Sequence, residues 1–209
     1  TLTPAMAASA ELAFKEASDS GSLLGGKYIK AMRGDSTCAD SAAGTTAAQG
    51  LIDGGVVAIM GADCSGVTTA IADNAAIPNG VVMISPSATS PALTSINDNG
   101  YFFRTAPSDA RGGEILANIT KDRKVKSVAI TYTNSDYGKG LADVYESFVK
   151  SLGIKVTAVT SHEEGKADYG AEVATLAAAG GDALAVLGYL DQAGAVSYTH
   201  LTLPTTRYV

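Results

Sequence analysis

Short apolar runs alternate with longer stretches of helical spacing along almost the whole chain. Five of the runs are rich in β-branched residues and bounded by Gly, Pro or Asp, which is typical of buried parallel strands. These runs occupy residues 56–60, 81–84, 128–132, 155–159 and 183–187. Helical spacing covers residues 5–17, 39–53, 68–76, 111–121, 141–152 and 169–179. Most of these stretches are followed by Gly, the usual C-terminal stop. Repeated strand–helix units predict an α/β fold with doubly wound parallel sheets.

An aromatic-rich segment at residues 101–109 interrupts the alternation. It is either a crossover between two lobes or an edge strand of a single sheet, and periodicity alone does not separate the two. Taken as a crossover, it predicts a first lobe over residues 1–107 and the start of a second lobe over residues 108–195.

The last segment, residues 196–209, abandons the Ala- and Gly-rich composition where the next helix should begin. It resembles translated adaptor or vector sequence and is predicted to be a non-native tail; the alternative is a native Thr-rich strand. On either interpretation His200 carries no functional weight.

Composition and charge exclude several classes of protein. The 209 residues are 46% hydrophobic and 17% charged, which is ordinary for a globular protein able to bury a core. A net charge of −6 and the lack of a long basic run argue against nucleic acid as a partner. No apolar run reaches the eighteen or so residues that a membrane span needs. The first four residues lack the features of a secretory signal, so we expect any signal peptide to be absent from this sequence.

The two cysteines, Cys38 and Cys64, each lie in a turn, twenty-six positions apart. Cys64 follows the run at residues 56–60 and precedes a Ser-Gly step into a helical pattern, which is where α/β proteins bind ligands. A bridge between the cysteines would contribute about 3 to 4 kcal/mol and indicate an oxidising compartment. Two unpaired thiols are the alternative, and the pair of cysteines taken by itself favours it.

Three segments with ligand-binding chemistry follow predicted strands. Cys64-Ser65-Gly66 could hold a carboxylate at a helix N-terminus, although a lone serine at such a position is more often a simple N-cap. Residues 84–91 form a Ser- and Pro-rich segment that could present carbonyls and hydroxyls, or be an ordinary loop. Residues 132–140 place an aromatic side chain before a glycine turn.

In order and spacing, these segments resemble the type I periplasmic binding proteins that deliver branched-chain and related amino acids to ABC transporters. The resemblance covers residues 4–194 and implies two flavodoxin-like lobes that close on a ligand by hinge motion. It implies that Cys38 and Cys64 form a disulfide in lobe one. The serine after the second cysteine in this family binds the ligand carboxylate, which assigns that role to Ser65.

The remaining ligand contacts are implied in the same way. The Ser-Pro-x-Ala-Thr loop, here with Ser87, Ala88 and Thr89, supplies a backbone carbonyl to the ligand ammonium group and a threonine to the ligand. Tyrosines of lobe two close over the ligand, and Tyr137 and Tyr189 fall at the matching positions.

The sequence also departs from the family pattern. Relatives begin with a central strand of lobe one, whereas this sequence starts inside the turn that follows it. Their acidic residue for the ligand ammonium lies beyond the end of this sequence, and the aromatic that they place near Ala8 is missing. We therefore expect a fragment with exposed apolar faces and poor solubility.

Enzyme signatures are lacking: the sequence contains no Gly-x-Gly-x-x-Gly, P-loop, Gly-x-Ser-x-Gly or Cys-x-x-Cys motif. His162 lies beside Glu163 and Glu164, and we interpret it as part of a solvated loop rather than as a metal ligand. No enzymatic activity, cofactor or metal is therefore expected.

These features predict a monomeric periplasmic solute-binding protein that captures a branched-chain or other apolar amino acid for an ABC permease in the inner membrane. The uncharged matched residues favour such a ligand over a dicarboxylate or a polyamine. The alternatives are a ligand-binding sensor domain of a receptor or amide-responsive regulator, and a flavodoxin-like or Rossmann enzyme.

Overall fold

The computed structural model describes residues 4–189, and these residues form two compact units. The first contains the chain up to Ala88 together with Asn97–Ala106, and the second contains Thr89–Ile96 and the chain from Pro107 onward. This division differs from a single cut after residue 107 mainly in the placement of Thr89–Ile96. No helix within 4–189 is both long enough and apolar enough to cross a membrane.

The first unit is built on a small parallel sheet. Its helices and strands are α1 (Pro4–Asp19), α2 (Ser41–Asp53), β1 (Ala58–Met60), α3 (Ser65–Ile71, continued by a π-helical turn at Ala72–Ala76), β2 (Val82–Ser85) and β3 (Phe102–Arg104). The strand order is β1-β2-β3, and both pairings are parallel. Val67, Ile71 and Met83 are among the buried side chains of this unit.

The second unit has the switch of direction that characterises doubly wound sheets. It consists of α4 (Asp109–Asp122), β4 (Ser127–Thr133), α5 (Asp136–Ser151), β5 (Lys155–His162), α6 (Gly170–Ala179) and β6 (Ala183–Leu187). The parallel order is β5-β4-β6, so the chain moves to one side of β4 through α5 and then to the other side through α6. Ligands of such sheets bind beyond the carboxyl end of the strand where the order switches, which here is β4.

All five predicted strands are present, and the α/β prediction is confirmed. The segment at residues 101–109 contains the parallel edge strand β3, and the main part of the second unit begins within the segment, at Pro107. Several helices begin earlier than predicted, and α3 and α5 differ most from the prediction. Helix α3 starts at Ser65, after an extended Cys64, and α5 starts at Asp136, where the Ser135 side chain accepts a hydrogen bond from Gly138 N.

The prediction of a solvated His162 is wrong. Strand β5 extends to His162, whose side chain is 1% exposed. Its Nδ1 lies 2.9 Å from Thr131 Oγ1 and its Nε2 lies 3.3 Å from Thr133 Oγ1, both on the neighbouring strand β4. The ring edge faces Tyr169 at 6.0 Å between centroids. The two hydroxyls satisfy the imidazole, so burial costs little.

One face of the first unit's sheet is apolar and exposed. Met60 pairs with Ile84, and Ile84 pairs with Phe103, so these side chains form one row across all three strands. They are 43%, 40% and 53% exposed.

The predicted tail at residues 196–209, including His200, lies outside the described residues, and its non-native origin stays a prediction.

Candidate functional site

The start of α3 carries the first predicted site residue. Cys64 occupies the N-cap position and is bonded to Cys38, with 5.4 Å between the two Cα atoms. Ser65 is therefore the first helical residue rather than the cap, and its side chain is 2% exposed. The disulfide implied by the family resemblance is present and ties this turn to the segment before α2.

Hydroxyl groups join the loop after β1 to the loop after β2. Ser85 donates a hydrogen bond from Oγ to the Ala62 carbonyl at 2.6 Å and accepts one from the Ala88 amide at 3.1 Å. Ser87 donates from Oγ to the Asp63 carbonyl at 2.8 Å. Because its hydroxyl proton is committed to Asp63, Ser87 has only its backbone and its hydroxyl lone pairs to offer a ligand.

Ala88 lies in the same network and is fully buried at 0% exposure. Its carbonyl accepts a hydrogen bond from Arg104 Nη1 at 3.3 Å. A carbonyl oxygen has two lone pairs, so the Ala88 carbonyl can accept a second donor. The first unit thus brings together Ser65, Ser87 and Ala88 around the turn that carries the disulfide.

Thr89 begins the part of the chain assigned to the second unit. Its hydroxyl donates to Asp109 Oδ2 at 2.6 Å, and the Asp109 amide donates to the Thr89 carbonyl at 2.9 Å. Asp109 is the first residue of α4, where a carboxylate also interacts favourably with the helix dipole.

Tyr137 and Tyr189 form a stacked pair, with 5.2 Å between ring centroids and 25° between ring planes. Tyr137 follows the end of β4, and Tyr189 follows the end of β6, so both lie at the switch point of the sheet. Burial raises the pKa of Tyr137, and the nearby Asp109 charge raises it further. Both phenols are therefore neutral hydrogen-bonding groups at physiological pH.

The pKa of Tyr189 is raised to about 12, chiefly by burial and then by the charges of Glu164 and Tyr137. A hydrogen bond with the Ser135 hydroxyl acts in the opposite direction. Ser135 also caps α5 by accepting a hydrogen bond from the Gly138 amide. The residue that caps this helix is therefore also a hydrogen-bond partner of the Tyr189 phenol.

Sequence reasoning gave no individual role to Ser85, Asp109 or Ser135, although Ser85 and Ser135 lie inside segments that it singled out. Ser135 precedes a helix with a cap-forming side chain, and this signal was available in the sequence. The bonds from Ser85 to Ala62 and from Thr89 to Asp109 join distant segments, so only the fold reveals them. Among residues 4–189, no group of three or more His, Cys, Asp or Glu side chains is placed to hold a metal ion.

Comparison with protein-family models matches residues 5–179 to the receptor family ligand binding region. The chain is 30% identical over 189 residues to the Leu/Ile/Val-binding protein homolog 3 of Brucella melitensis, covering 90% of this chain and 50% of that protein. It is also 30% identical over 174 residues to the leucine-, isoleucine-, valine-, threonine- and alanine-binding protein of Pseudomonas aeruginosa, covering 82% of this chain and 45% of that protein. The chain thus spans about half the length of these relatives, which are named as binding proteins rather than enzymes.

Solved structures agree with this assignment. The branched-chain amino acid substrate-binding protein LivJ of Streptococcus pneumoniae, in complex with isoleucine, matches with a TM-score of 0.75 and 30% identity over 90% of this chain and 52% of that chain. A periplasmic binding protein of Burkholderia mallei matches with a TM-score of 0.83 at 17% identity over 99% of this chain and 56% of that chain, which shows the fold alone. The chain therefore belongs to the receptor family ligand binding region, with the fold of the type I periplasmic binding proteins and a sequence similar to their Leu/Ile/Val-binding members.

Proposed function

We propose that the protein containing this chain captures an amino acid outside the cytoplasm and presents it to the permease of an ABC importer. The observation that carries the proposal is the chemistry of the residues at the matched positions. They supply hydroxyls, backbone carbonyls and neutral phenols from Ser65, Ser87, Ala88, Thr89, Tyr137 and Tyr189.

In the proposed complex, Ser65 donates to the ligand carboxylate, and the carbonyls of Ser87 and Ala88 accept from the ligand ammonium group. The Thr89 hydroxyl donates its hydrogen bond to Asp109, so towards the ligand it acts only as an acceptor. Fixed dipoles of this kind satisfy a zwitterion once water is expelled. The Tyr137 and Tyr189 rings supply aromatic surface for the ligand side chain.

The ligand we propose is leucine, isoleucine, valine or another apolar amino acid. The binding of isoleucine by the pneumococcal protein and the names of the curated relatives support this choice. The two phenols, whose pKa values are raised, are neutral at physiological pH and offer aromatic surface to an apolar side chain, which also supports this choice. Such a protein acts as a periplasmic monomer and performs no chemistry on its ligand.

The test is a thermal-shift screen of the full-length protein against the twenty amino acids, followed by calorimetric titration of each hit. Ligand at about 100 times its Kd adds roughly 2.7 kcal/mol to stability, which is readily detected. Ser65→Ala should weaken binding about 10- to 100-fold because a hydrogen bond to a charged group is lost. Thr46→Ala, on the exposed face of α2, is the matched control and should leave Kd unchanged.

A shift with an apolar amino acid, reduced in Ser65→Ala, supports the proposal. Tight binding of a dicarboxylate or a polyamine instead would contradict the assigned ligand class. A sensor role is the second candidate, since the family is described as a receptor ligand-binding region. An output domain or a membrane span after the ligand-binding region in the full gene would favour that role over transport.

A further inference from the structure

Ser85 is a polar residue in the core of the first unit. It is the last residue of β2, its side chain is 0% exposed, and its backbone carbonyl accepts a hydrogen bond from the Thr105 amide at 3.0 Å. A buried hydroxyl is unfavourable unless it is hydrogen-bonded. The Ser85 hydroxyl is bonded twice, to the Ala62 carbonyl and to the Ala88 amide.

These two bonds reach two different loops. Ala62 lies in the loop between β1 and α3, two residues before Cys64, and Ala88 lies in the loop after β2. Both are buried, at 3% and 0% exposure. One hydroxyl group therefore fixes the separation of the loop that leads to Ser65 from the loop that carries the Ser87 and Ala88 carbonyls.

The other hydroxyls in this network contribute less to holding the two loops together. Thr68 donates from Oγ1 to the same Ala62 carbonyl at 3.1 Å, but this bond lies within one loop–helix segment. Ser87 joins the two loops through the Asp63 carbonyl, but Ser87 is only half-buried, so water can replace its hydroxyl. Without the Ser85 hydroxyl, the buried Ala88 amide loses its described acceptor.

We propose that Ser85 is a positioning residue for ligand binding: its hydroxyl holds the Ala62 and Ala88 loops in the arrangement that Ser65 and the Ser87 and Ala88 carbonyls need to contact an amino acid. The inference rests on the proposed function. Ser85 itself does not contact the ligand. Binding groups held in place before the ligand arrives give higher affinity, because the loops need no ordering upon binding.

The test uses four variants of the full-length protein. Ser85→Ala removes the hydroxyl, and Ser85→Thr and Ser85→Val form an isosteric pair that differs chiefly by it. Thr68→Val is the matched control, because it removes a buried hydroxyl that donates to the same Ala62 carbonyl within one loop–helix segment. We expect Kd for the amino acid to rise at least tenfold in Ser85→Ala, to be at least tenfold higher in Ser85→Val than in Ser85→Thr, and to change less than threefold in Thr68→Val.

Kd is measured well below each variant's unfolding midpoint, so that a loss of stability alone does not alter it. If Ser85→Ala unfolds at lower temperature but binds with unchanged Kd, Ser85 is only structural and the proposal is overturned. The same holds if neither hydroxyl-free variant folds, because Ser85 is then required for folding itself.

Hydrogen exchange separates this inference from the proposed function. In the ligand-free protein, the Ala88 amide should exchange at least tenfold faster in Ser85→Ala than in wild type, while the Met83 amide, bonded to the Tyr101 carbonyl, should not change. If wild type binds no amino acid, the proposed function fails, and exchange at Ala88 still decides whether Ser85 holds the loops. Unchanged exchange at Ala88 overturns the inference.

Discussion

Thr89 and Asp109 are joined by two hydrogen bonds that run in opposite directions. The Thr89 hydroxyl donates to Asp109 Oδ2 at 2.6 Å, and the Asp109 amide donates to the Thr89 carbonyl at 2.9 Å. The residue proposed to contact the ligand is thus anchored to the first turn of α4. The same carboxylate raises the pKa of Tyr137, so one side chain influences two residues of the site.

Replacing Asp109 should therefore destabilise the second unit. We expect Asp109→Ala to lower the free energy of unfolding by about 2 kcal/mol, because it removes a hydrogen bond to a charged group and a favourable charge at a helix N-terminus. Asp109→Asn should cost less, since it keeps an acceptor for Thr89. Urea unfolding checks both values. Asp122→Asn, at the other end of α4, is the control and should be neutral or slightly stabilising; equal losses at both positions would contradict the explanation.

Loss of the Cys38–Cys64 disulfide should destabilise the protein by about 3 to 4 kcal/mol, because the bridge closes a segment of 26 residues in the unfolded chain. The comparison is between the oxidised wild type and the Cys38→Ser/Cys64→Ser double variant in chemical denaturation. Dithiothreitol should lower the midpoint of the wild type and leave the double variant unaffected. A wild type insensitive to the reductant would show that the bridge contributes little.

Gly138 should tolerate no side chain. It is the third residue of α5, and a Cβ built on it would lie 2.2 Å from the Thr133 carbonyl oxygen, so the backbone would have to move. We expect Gly138→Ala to cost at least about 2 kcal/mol and, because Tyr137 is adjacent, to weaken ligand binding as well.

Gly50 provides the opposite case. It lies within α2, and a Cβ there would meet nothing within 4 Å. Gly50→Ala should stabilise the protein by about 0.5 to 1 kcal/mol because alanine loses less entropy in a helix. Thermal unfolding of both variants tests the pair, and destabilisation by Gly50→Ala would show that the local geometry is not as described.

The raised pKa of Tyr189 predicts a loss of stability at alkaline pH. The pKa is about 12 in the folded protein and 10.0 ordinarily, so between these pH values the phenol is largely ionised in the unfolded chain but still protonated in the folded protein. Stability from this phenol is therefore complete below pH about 10 and decreases as pH rises toward 12. The denaturation midpoint should fall more steeply between pH 10 and 11 for wild type than for Tyr189→Phe.

Phenolate absorbance gives an independent measurement of the same group. The wild-type titration minus that of Tyr189→Phe should have a midpoint near 12. A difference curve centred on the ordinary value of 10.0 would mean that Tyr189 is not buried as described.

The hydrophobic pattern was sufficient to predict the α/β fold, since buried parallel strands and amphipathic helices have distinct periods. Helix starts were predicted less well. The stretch at residues 141–152 was apolar enough to be recognised, but α5 begins at Asp136 because Ser135 caps it. The capping side chain, rather than the apolar pattern, determines where this helix begins.

His162 shows why the rest could not be predicted. Next to two glutamates it has the local sequence of a solvated loop, yet it is buried because Thr131 and Thr133 of another strand satisfy its ring. Ser85 and Asp109 could not be predicted for the same reason, because Ser85 bonds to Ala62, 23 positions away, and Asp109 bonds to Thr89, 20 positions away. A polar side chain can be assigned to a core or a site only when the groups that satisfy it are known.

The two units are interleaved along the chain, and this has a consequence for biosynthesis. Strand β3, the last of the three strands described for the first unit's sheet, is made after Thr89–Ile96, a segment that belongs to the second unit. Proteins emerge from the ribosome from the N-terminus onward, and domains generally fold as units. The first unit therefore cannot finish folding until Ala106 has emerged. Thr89–Ile96 can pack in the second unit only later, after α4 and α5 have been synthesised. Pausing of translation between Ala88 and Ala106 would leave β2 with an unpaired edge, which is a template for aggregation.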